Sequence, residues 1–284
     1  MHPHCFLCGI GFVIQLAVVS CTGYYDSGPE ITEFPSDVPT DIYELSLTST
    51  SISQVSPDDF SGMTSLFNLY LDYNQLVVFP NIGDAKPSLE LLKLTDNHIS
   101  TVPLEATAGY GSLALLGLNG NELVQFPDLG DAKKTLNTIS LSRNRISKIE
   151  REELQGFEQL SLLMLTSNKL TSLPDFHVLP QSIISVNVES NLITHYDPWS
   201  LETLLKFPAL DFNGYFFNNR LKCTCQAIYL QQFLKDNSHL IPYSQAMCDS
   251  PSYLKNAVLY FMPVEQLVCT GKMSLRCFLS IFFC

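Results

Sequence analysis

LFNLYLDYNQL, at residues 66–76, alternates leucines with other residues and then sets an asparagine three positions beyond the last leucine of the alternation. The same order returns as IYELSLTSTSI (42–52), LELLKLTDNHI (89–99) and LALLGLNGNEL (113–123). It continues as LNTISLSRNRI (136–146), LSLLMLTSNKL (160–170) and IISVNVESNLI (183–193), and a distorted eighth copy ends at Asn219-Arg220-Leu221. The residues at the asparagine position are Thr50, Asn74, Asn97, Asn121, Asn144, Asn168, Asn191 and Asn219, so the spacings run 24, 23, 24, 23, 24, 23 and 28. The alternation marks a 47-residue pair of repeats, most visible where LVVFPNIGDAKPSLELLKL (76–94) aligns with LVQFPDLGDAKKTLNTISL (123–141). Duplication of a pair of repeats accounts for this.

Each position has a physical role. The Leu-x-Leu alternation specifies a short strand with leucines inward and the intervening residues outward. One repeat cannot bury its own apolar face, so stacked parallel strands must form the core. The asparagine turns the chain, and its amide can pair backbone groups of adjacent turns that would otherwise be buried alone. Asn74, Asn97, Asn121, Asn144, Asn168 and Asn191 are therefore read as a structural ladder with no binding role. Phe79-Pro80, Phe126-Pro127 and Leu173-Pro174 begin the return segments, where proline suits an extended chain without a donor. Phe60, Leu154 and Phe157 are expected to fill the convex side. The fold expected is an α/β solenoid: a curved horseshoe with short parallel strands on its concave face and a mostly irregular or 3-10 convex side, over residues 42–221.

The ends differ from this body. From Cys5 to Val19 the chain is almost wholly apolar, and Ser20, Cys21, Thr22 and Gly23 follow. Such a stretch ending in small residues reads as a secretion signal over residues 1–23, removed in the mature protein, although only His2 and His4 stand in place of a basic leader; a buried first helix is the rival reading. Residues 24–41 form a flank. Beyond the repeats comes NNRLKCTCQAIYLQQFL, in which Cys223 and Cys225 are followed after 22 residues by Cys248 and after 20 more by Cys269. Four cysteines permit three pairings. The rival, a zinc site, fits poorly because Cys-x-Cys lacks the paired Cys-x-x-Cys knuckles.

This cysteine segment resembles the C-terminal flanking cap of extracellular leucine-rich-repeat proteins of the Slit, chondroadherin, Toll-ectodomain and variable-lymphocyte-receptor type, and the repeats resemble that superfamily over about residues 31–269. The resemblance implies a small disulfide-bonded cap at residues 222–269 with pairs Cys223–Cys248 and Cys225–Cys269. Trp199 and a helix at residues 227–234 are expected to pack over the last repeat. Ser20-Cys21 after Val18-Val19 also looks like a bacterial lipoprotein cleavage site, which is set aside because the cap looks animal. The usual N-terminal cap of this superfamily carries four cysteines, whereas this sequence offers only Cys21. Its first strand therefore has no evident protection against edge pairing, as in an edge hairpin or a truncated chain. The tail at 270–284 is apolar over about ten residues, too short to span a bilayer, and is read as disordered in preference to a clipped or glycolipid anchor. The roles of Cys21, Cys277 and Cys284 stay open.

Composition narrows function. With 16 Lys+Arg against 28 Asp+Glu the net charge is −12, which argues against nucleic acid and anionic lipid as partners. No nucleophile elbow, zinc-protease helix or phosphate-cradling loop is present, and no cofactor or metal is implied. His98, His177 and His195 sit in separate repeats near strand ends and read as solvated turn residues. No Asn-x-Ser/Thr acceptor for glycosylation occurs. What remains is the set of outward residues on the strands. Aromatics and charges crowd the N-terminal end, with Tyr43, Glu44, Asn68 and Glu90 around the candidate ligand-binding residues Phe67, Tyr70, Asp72, Tyr73, Lys93 and Asp96. Small polar residues (Gly117, Asn119, Ser140) hold the middle, and Met164, Asn187 and Glu189 lie toward the cap. Aromatics on a rigid sheet match the composition of binding hot spots, though tyrosine and phenylalanine also decorate strands of any kind. The expectation is a secreted, non-enzymatic module that binds an extracellular protein in its concavity; the alternative is the ectodomain of a membrane-anchored receptor.

Overall fold

The computed structural model describes residues 4–5, 23–207, 209–211, 216–240 and 246–267. Eight strands form one parallel sheet: β2 (Gly23–Asp26), β3 (Glu44–Leu47), β4 (Asn68–Tyr70), β5 (Leu91–Lys93), β6 (Leu115–Gly117), β7 (Thr138–Ser140), β8 (Leu162–Met164) and β9 (Ser185–Asn187). They lie side by side in chain order, and β1 (His4–Cys5) pairs antiparallel with the outer edge of β2. The register never slips, so Leu45, Leu69, Leu92, Leu116, Ile139, Leu163 and Val186 form one inward row. All are buried, as is the second row running from Leu47 through Leu71, Leu94, Leu118, Leu141 and Leu165 to Val188. A fully buried leucine contributes roughly 1.5–3 kcal/mol relative to exposure, which makes these rows the main source of cohesion between repeats.

The ladder is continuous. Each amide oxygen accepts the N–H of a residue one repeat earlier: Ile52 to Asn74 at 3.2 Å, Leu76 to Asn97 at 3.0 Å, Ile99 to Asn121 at 2.9 Å, Leu123 to Asn144 at 3.0 Å, Ile146 to Asn168 at 3.0 Å and Leu170 to Asn191 at 3.0 Å. Each amide nitrogen donates to a carbonyl of the preceding repeat, as Asn121 does to Leu94 at 2.8 Å. The distorted eighth copy takes part as well, with Ile193 N–H donating to Asn219 at 3.1 Å. At the start of the series Thr50 replaces asparagine and gives its hydroxyl to the Asn74 oxygen. The residue before each ladder position adopts the left-handed conformation: Ser49, Tyr73, Asp96, Gly120, Arg143, Ser167, Ser190 and Asn218. Only one of these is glycine, so the turn is imposed by the neighbouring ladder bonds at some cost in backbone strain.

The 24/23 alternation appears on the convex side. Repeats of 24 carry a four-residue turn, at Pro57–Phe60, α1 (Leu104–Thr107) and α2 (Arg151–Leu154). Those of 23 carry 3-10 turns at Gly83–Ala85, Gly130–Lys134 and Phe176–Val178. The shared Gly-Asp-Ala-Lys explains itself here. Gly83 has φ +47° and lies so close to Pro57 that a Cβ would stand 2.7 Å from its carbonyl oxygen. The lysines fold back over rings in the next turn, Lys86 toward Tyr110 at 6.0 Å and Lys133 toward Phe157 at 5.6 Å.

After α3 (Pro198–Leu204) the chain enters the cap, formed by β10 (Leu221–Lys222), α4 (Ala227–Asp236) and β11 (Cys248–Ser250), with β10 and β11 paired in parallel. Leu230, Phe233 and Leu234 of α4 are buried, and the buried Gln231 donates to the carbonyls of Leu259 and Met262 at 2.7 and 2.6 Å. Cys223 is bonded to Cys248. Cys225 is also disulfide-bonded, while Cys269, Cys277 and Cys284 lie outside the described residues, as do Cys21, most of residues 1–23 and all of the tail at 270–284.

One expectation needs correction. Trp199 does not pack over the last repeat: it is 58% exposed, and Leu201 and Leu204 of the same helix are buried instead. Its ring meets His177 at 5.9 Å and Lys206 at 5.2 Å, because position 199 faces outward when 201 and 204 face in. In the flank at residues 24–41 Tyr24 is buried, donates to Asp37 at 3.1 Å, and belongs to a further parallel rung of the sheet.

Candidate functional site: the concave face

The strands present their outward residues in rows that run along the solenoid axis. The leading row sits where each strand begins: Tyr43, Phe67, Glu90, Ala114, Asn137, Ser161 and Ile184, tied by backbone bonds such as Glu90 N–H to Phe67 O at 2.9 Å and Ala114 N–H to Glu90 O at 2.8 Å. Beside it runs the row Glu44, Asn68, Leu91, Leu115, Thr138, Leu162 and Ser185, then the row Tyr25, Ser46, Tyr70, Lys93, Gly117, Ser140 and Met164.

Neighbouring repeats stand about 4.8 Å apart, so row neighbours must interact. Tyr43 and Phe67 stack at 5.7 Å with planes 9° apart, and both stay exposed, at 48% and 40%. Glu44 is held from two sides, by the Tyr25 hydroxyl at 2.8 Å and the Asn68 amide at 3.0 Å. Lys93 lies over the Tyr70 ring at 5.6 Å. The Tyr70 hydroxyl is pushed above its ordinary range first by burial and then by the negative charges of Glu44 and Asp72.

The six candidate residues divide accordingly. Phe67, Tyr70 and Lys93 share the face, and Tyr73 is exposed on the turn at its far edge with φ +57°. Asp72 differs from expectation. It is 8% exposed, and its carboxylate accepts the Thr95 N–H of the next repeat at 2.7 Å. Burial raises its pKa, and the Thr95 bond works in the other direction. Asp72 is therefore a link between repeats. Asp96 is engaged too: it bridges 47 positions to Arg143 at 3.0 Å. The bridge crosses over Gly120, where a Cβ would fall 2.0 Å from the Asp96 carboxylate. The superunit period thus reappears as an ion pair two repeats apart that passes over the one between.

Sequence reasoning missed several members. Leu91, Leu115 and Leu162 are partly exposed on the concave face, the last beyond Thr138 in the same row, yet in LELLKL or LSLLML they look like core leucines. Their register against Asn68, a plain outward residue, is the signal that separates them. Tyr25 was missed because its strand precedes the first recognisable repeat. His98 is not merely solvated: it reaches Gln75 at 3.1 Å and Glu122 at 3.3 Å along the flank. Among the described residues no group of three or more His, Cys, Asp or Glu side chains is placed to hold a metal, and no helix is long and apolar enough to cross a membrane.

A leucine-rich-repeat family model matches residues 40–76. No curated protein matches the chain in sequence. In structure the chain is similar to human 5T4 (Wnt-activated inhibitory factor 1, trophoblast glycoprotein), with a TM-score of 0.71 at 19% identity, covering 87% of this chain and 94% of that one. It is also similar to a chain of the octameric complex of Latrophilin 3, Unc5D and the leucine-rich repeats of FLRT2, with a TM-score of 0.59 at 18% identity, covering 84% of this chain and 80% of the other. In fold, then, the chain is a leucine-rich-repeat solenoid closed by a disulfide-bonded C-terminal cap.

Proposed function

We propose that this protein is an extracellular protein-interaction module that binds a protein ligand on the N-terminal half of its concave face. The observation that carries the reading is the exposed Tyr43–Phe67 stack with Tyr70 beside it and the Leu91–Leu115 strip running on from it. Aromatic side chains fixed on a sheet bury much area at little entropic cost. The bonded cysteines of the cap suit an oxidising compartment, as does the apolar leader. That the FLRT2 repeats stand in a complex with Latrophilin 3 and Unc5D supports protein partners for this fold. Phe67, Tyr70 and Lys93 supply the contact, Tyr73 its edge, and Asp72 and Asp96 the geometry and negative field. Recognition rather than catalysis is the role. Secretion as a soluble adaptor or matrix protein is the principal form; a membrane-anchored ectodomain is the alternative, favoured by the apolar tail in the sequence. Recovery from medium, against cells with and without phospholipase, separates the two.

The test is a binary screen of the secreted protein against displayed extracellular domains, repeated with Tyr70→Ala and Phe67→Ala. Partners of the concave face should bind each variant about 1–2 kcal/mol more weakly while melting temperature stays near that of the parent. Partners that bind both variants as tightly as the parent would move the site to the cap or the convex side.

A further inference from the structure

The leading row holds one charge that the fold does not use. Glu90 is exposed, and no hydrogen bond or ion pair engages its carboxylate among the described residues. Its acidic neighbours are all occupied: Glu44 by Tyr25 and Asn68, Asp72 by Thr95, Asp96 by Arg143. Lys93, three residues on in the chain, lies over Tyr70. On one side of Glu90 in the row stands Phe67, whose ring is stacked on Tyr43 and 40% exposed. On the other side stands Ala114, the smallest side chain of the row. A free carboxylate next to an exposed aromatic ring in the row is complementary to a planar cation, which can stack on the ring and hold the carboxylate with two parallel N–H donors. An ammonium meets only the second condition.

In the row beside that of Glu90, Leu91 and Leu115 are adjacent, and Leu162 follows beyond Thr138. Leu91, Leu115 and Leu162 stand on the fifth, sixth and eighth strands. From Glu90 to Leu162 is three strand spacings, about 14 Å at about 4.8 Å each, which an extended chain covers in about four residues. Resting on the concave-face reading above, we infer that the occupant is an extended segment of the partner that presents an arginine to Phe67 and Glu90 and, about four residues away, an apolar side chain to Leu162, its intervening residues passing over Leu115. The charge balance of the chain, −12 overall, favours a basic segment and gives it a salt-sensitive on-rate.

Selection of random displayed dodecapeptides on the full secreted chain tests this. Enriched peptides should carry an arginine about four residues from a leucine, isoleucine, valine or phenylalanine. As fluorescent peptides they should lose about tenfold in affinity for Glu90→Gln, and equally when the arginine is replaced by citrulline. The double variant Leu115→Ser, Leu162→Ser should weaken them by a comparable factor; its circular dichroism and melting curve verify that it is folded. Peptides that depend on the two leucines but lack arginine, or ignore Glu90→Gln, overturn the arginine inference and leave the concave-face reading standing. Peptides indifferent to both the leucines and Glu90 overturn the inference, and if Tyr70→Ala and Phe67→Ala leave them unchanged as well they overturn the concave-face reading too; a selection that enriches nothing overturns the inference.

Discussion

Replacing Asn121 by alanine isolates what the ladder contributes, because the structure states which groups lose their partners. The amide nitrogen donates to the carbonyls of Leu94, Leu118 and Asn119 at 2.8, 3.1 and 3.3 Å, and the oxygen accepts from Ile99 at 2.9 Å. The three carbonyls keep other donors after the change: Asn97 for Leu94, Asn144 for Leu118 and the Asp96 N–H for Asn119. Ile99 N–H keeps none. One orphaned buried donor costs about 1–3 kcal/mol, and the thinning of bonds at the carbonyls adds less than a second such loss. The expected destabilisation is therefore about 2 kcal/mol, read as a fall of about 4–8 °C in Tm for a chain of this size. Urea unfolding followed by far-ultraviolet circular dichroism supplies the same quantity through the transition midpoint, provided the transition stays cooperative along the repeats. Aspartate is no rescue, since it keeps the acceptor for Ile99 but sets a carboxylate oxygen against the Leu94 carbonyl. An Asn121→Ala protein with the parent's midpoint would show that the ladder amides are exchanged for water without loss. That result would refute the reasoning.

Other outcomes follow from the same geometry. Non-reducing peptide maps of secreted protein should recover Cys223 linked to Cys248, and removing this bridge, which closes 25 residues, should cost about 3–4 kcal/mol in the chain-entropy model; free thiols at both positions would contradict it. Gly120→Ala should both strain a left-handed turn and displace the Asp96–Arg143 bridge, lowering stability by about 1–2 kcal/mol, whereas Lys134→Ala on the exposed convex side should be silent by the same thermal melt. Lys133 is unsuitable for that control, because its stem is covered and its ammonium lies over Phe157. In alkali, burial raises the Tyr110 and Tyr196 hydroxyls far above the ordinary tyrosine range, and burial together with Asp37 lifts Tyr24 to about 12. Their stabilising contribution is full below pH 10, the unfolded value, and is lost as pH rises through the folded values. Absorbance of tyrosinate should therefore show these three ionising only together with unfolding; early titration of all twelve tyrosines would exclude their burial.

The repeat body was legible in the sequence because its determinants are local and periodic. A leucine at a fixed offset from Asn97 or Asn144 has only one environment in a stack of identical turns, so spacing alone assigned the inward rows, the ladder and the convex returns. The cap pairing came from resemblance, since cysteine spacing leaves three connectivities equal. The concave face was only half legible. Outward positions could be counted, which found Phe67, Tyr70 and Lys93, but counting does not say which outward side chains already have partners. That Asp72 is tied to Thr95 and Asp96 to Arg143, that Glu90 is left free, and that Leu91, Leu115 and Leu162 face outward are relations between residues 23 to 47 positions apart. They depend on strand register and on what each neighbour's side chain reaches. Trp199 shows the same limit at a helix: composition marked it for the core, and only the orientation set by burying Leu201 and Leu204 turned it to solvent. Periodicity dictates the fold here because every repeat solves the same burial problem. The site depends on how unlike side chains meet across repeats, and that is decided only when the turns are stacked.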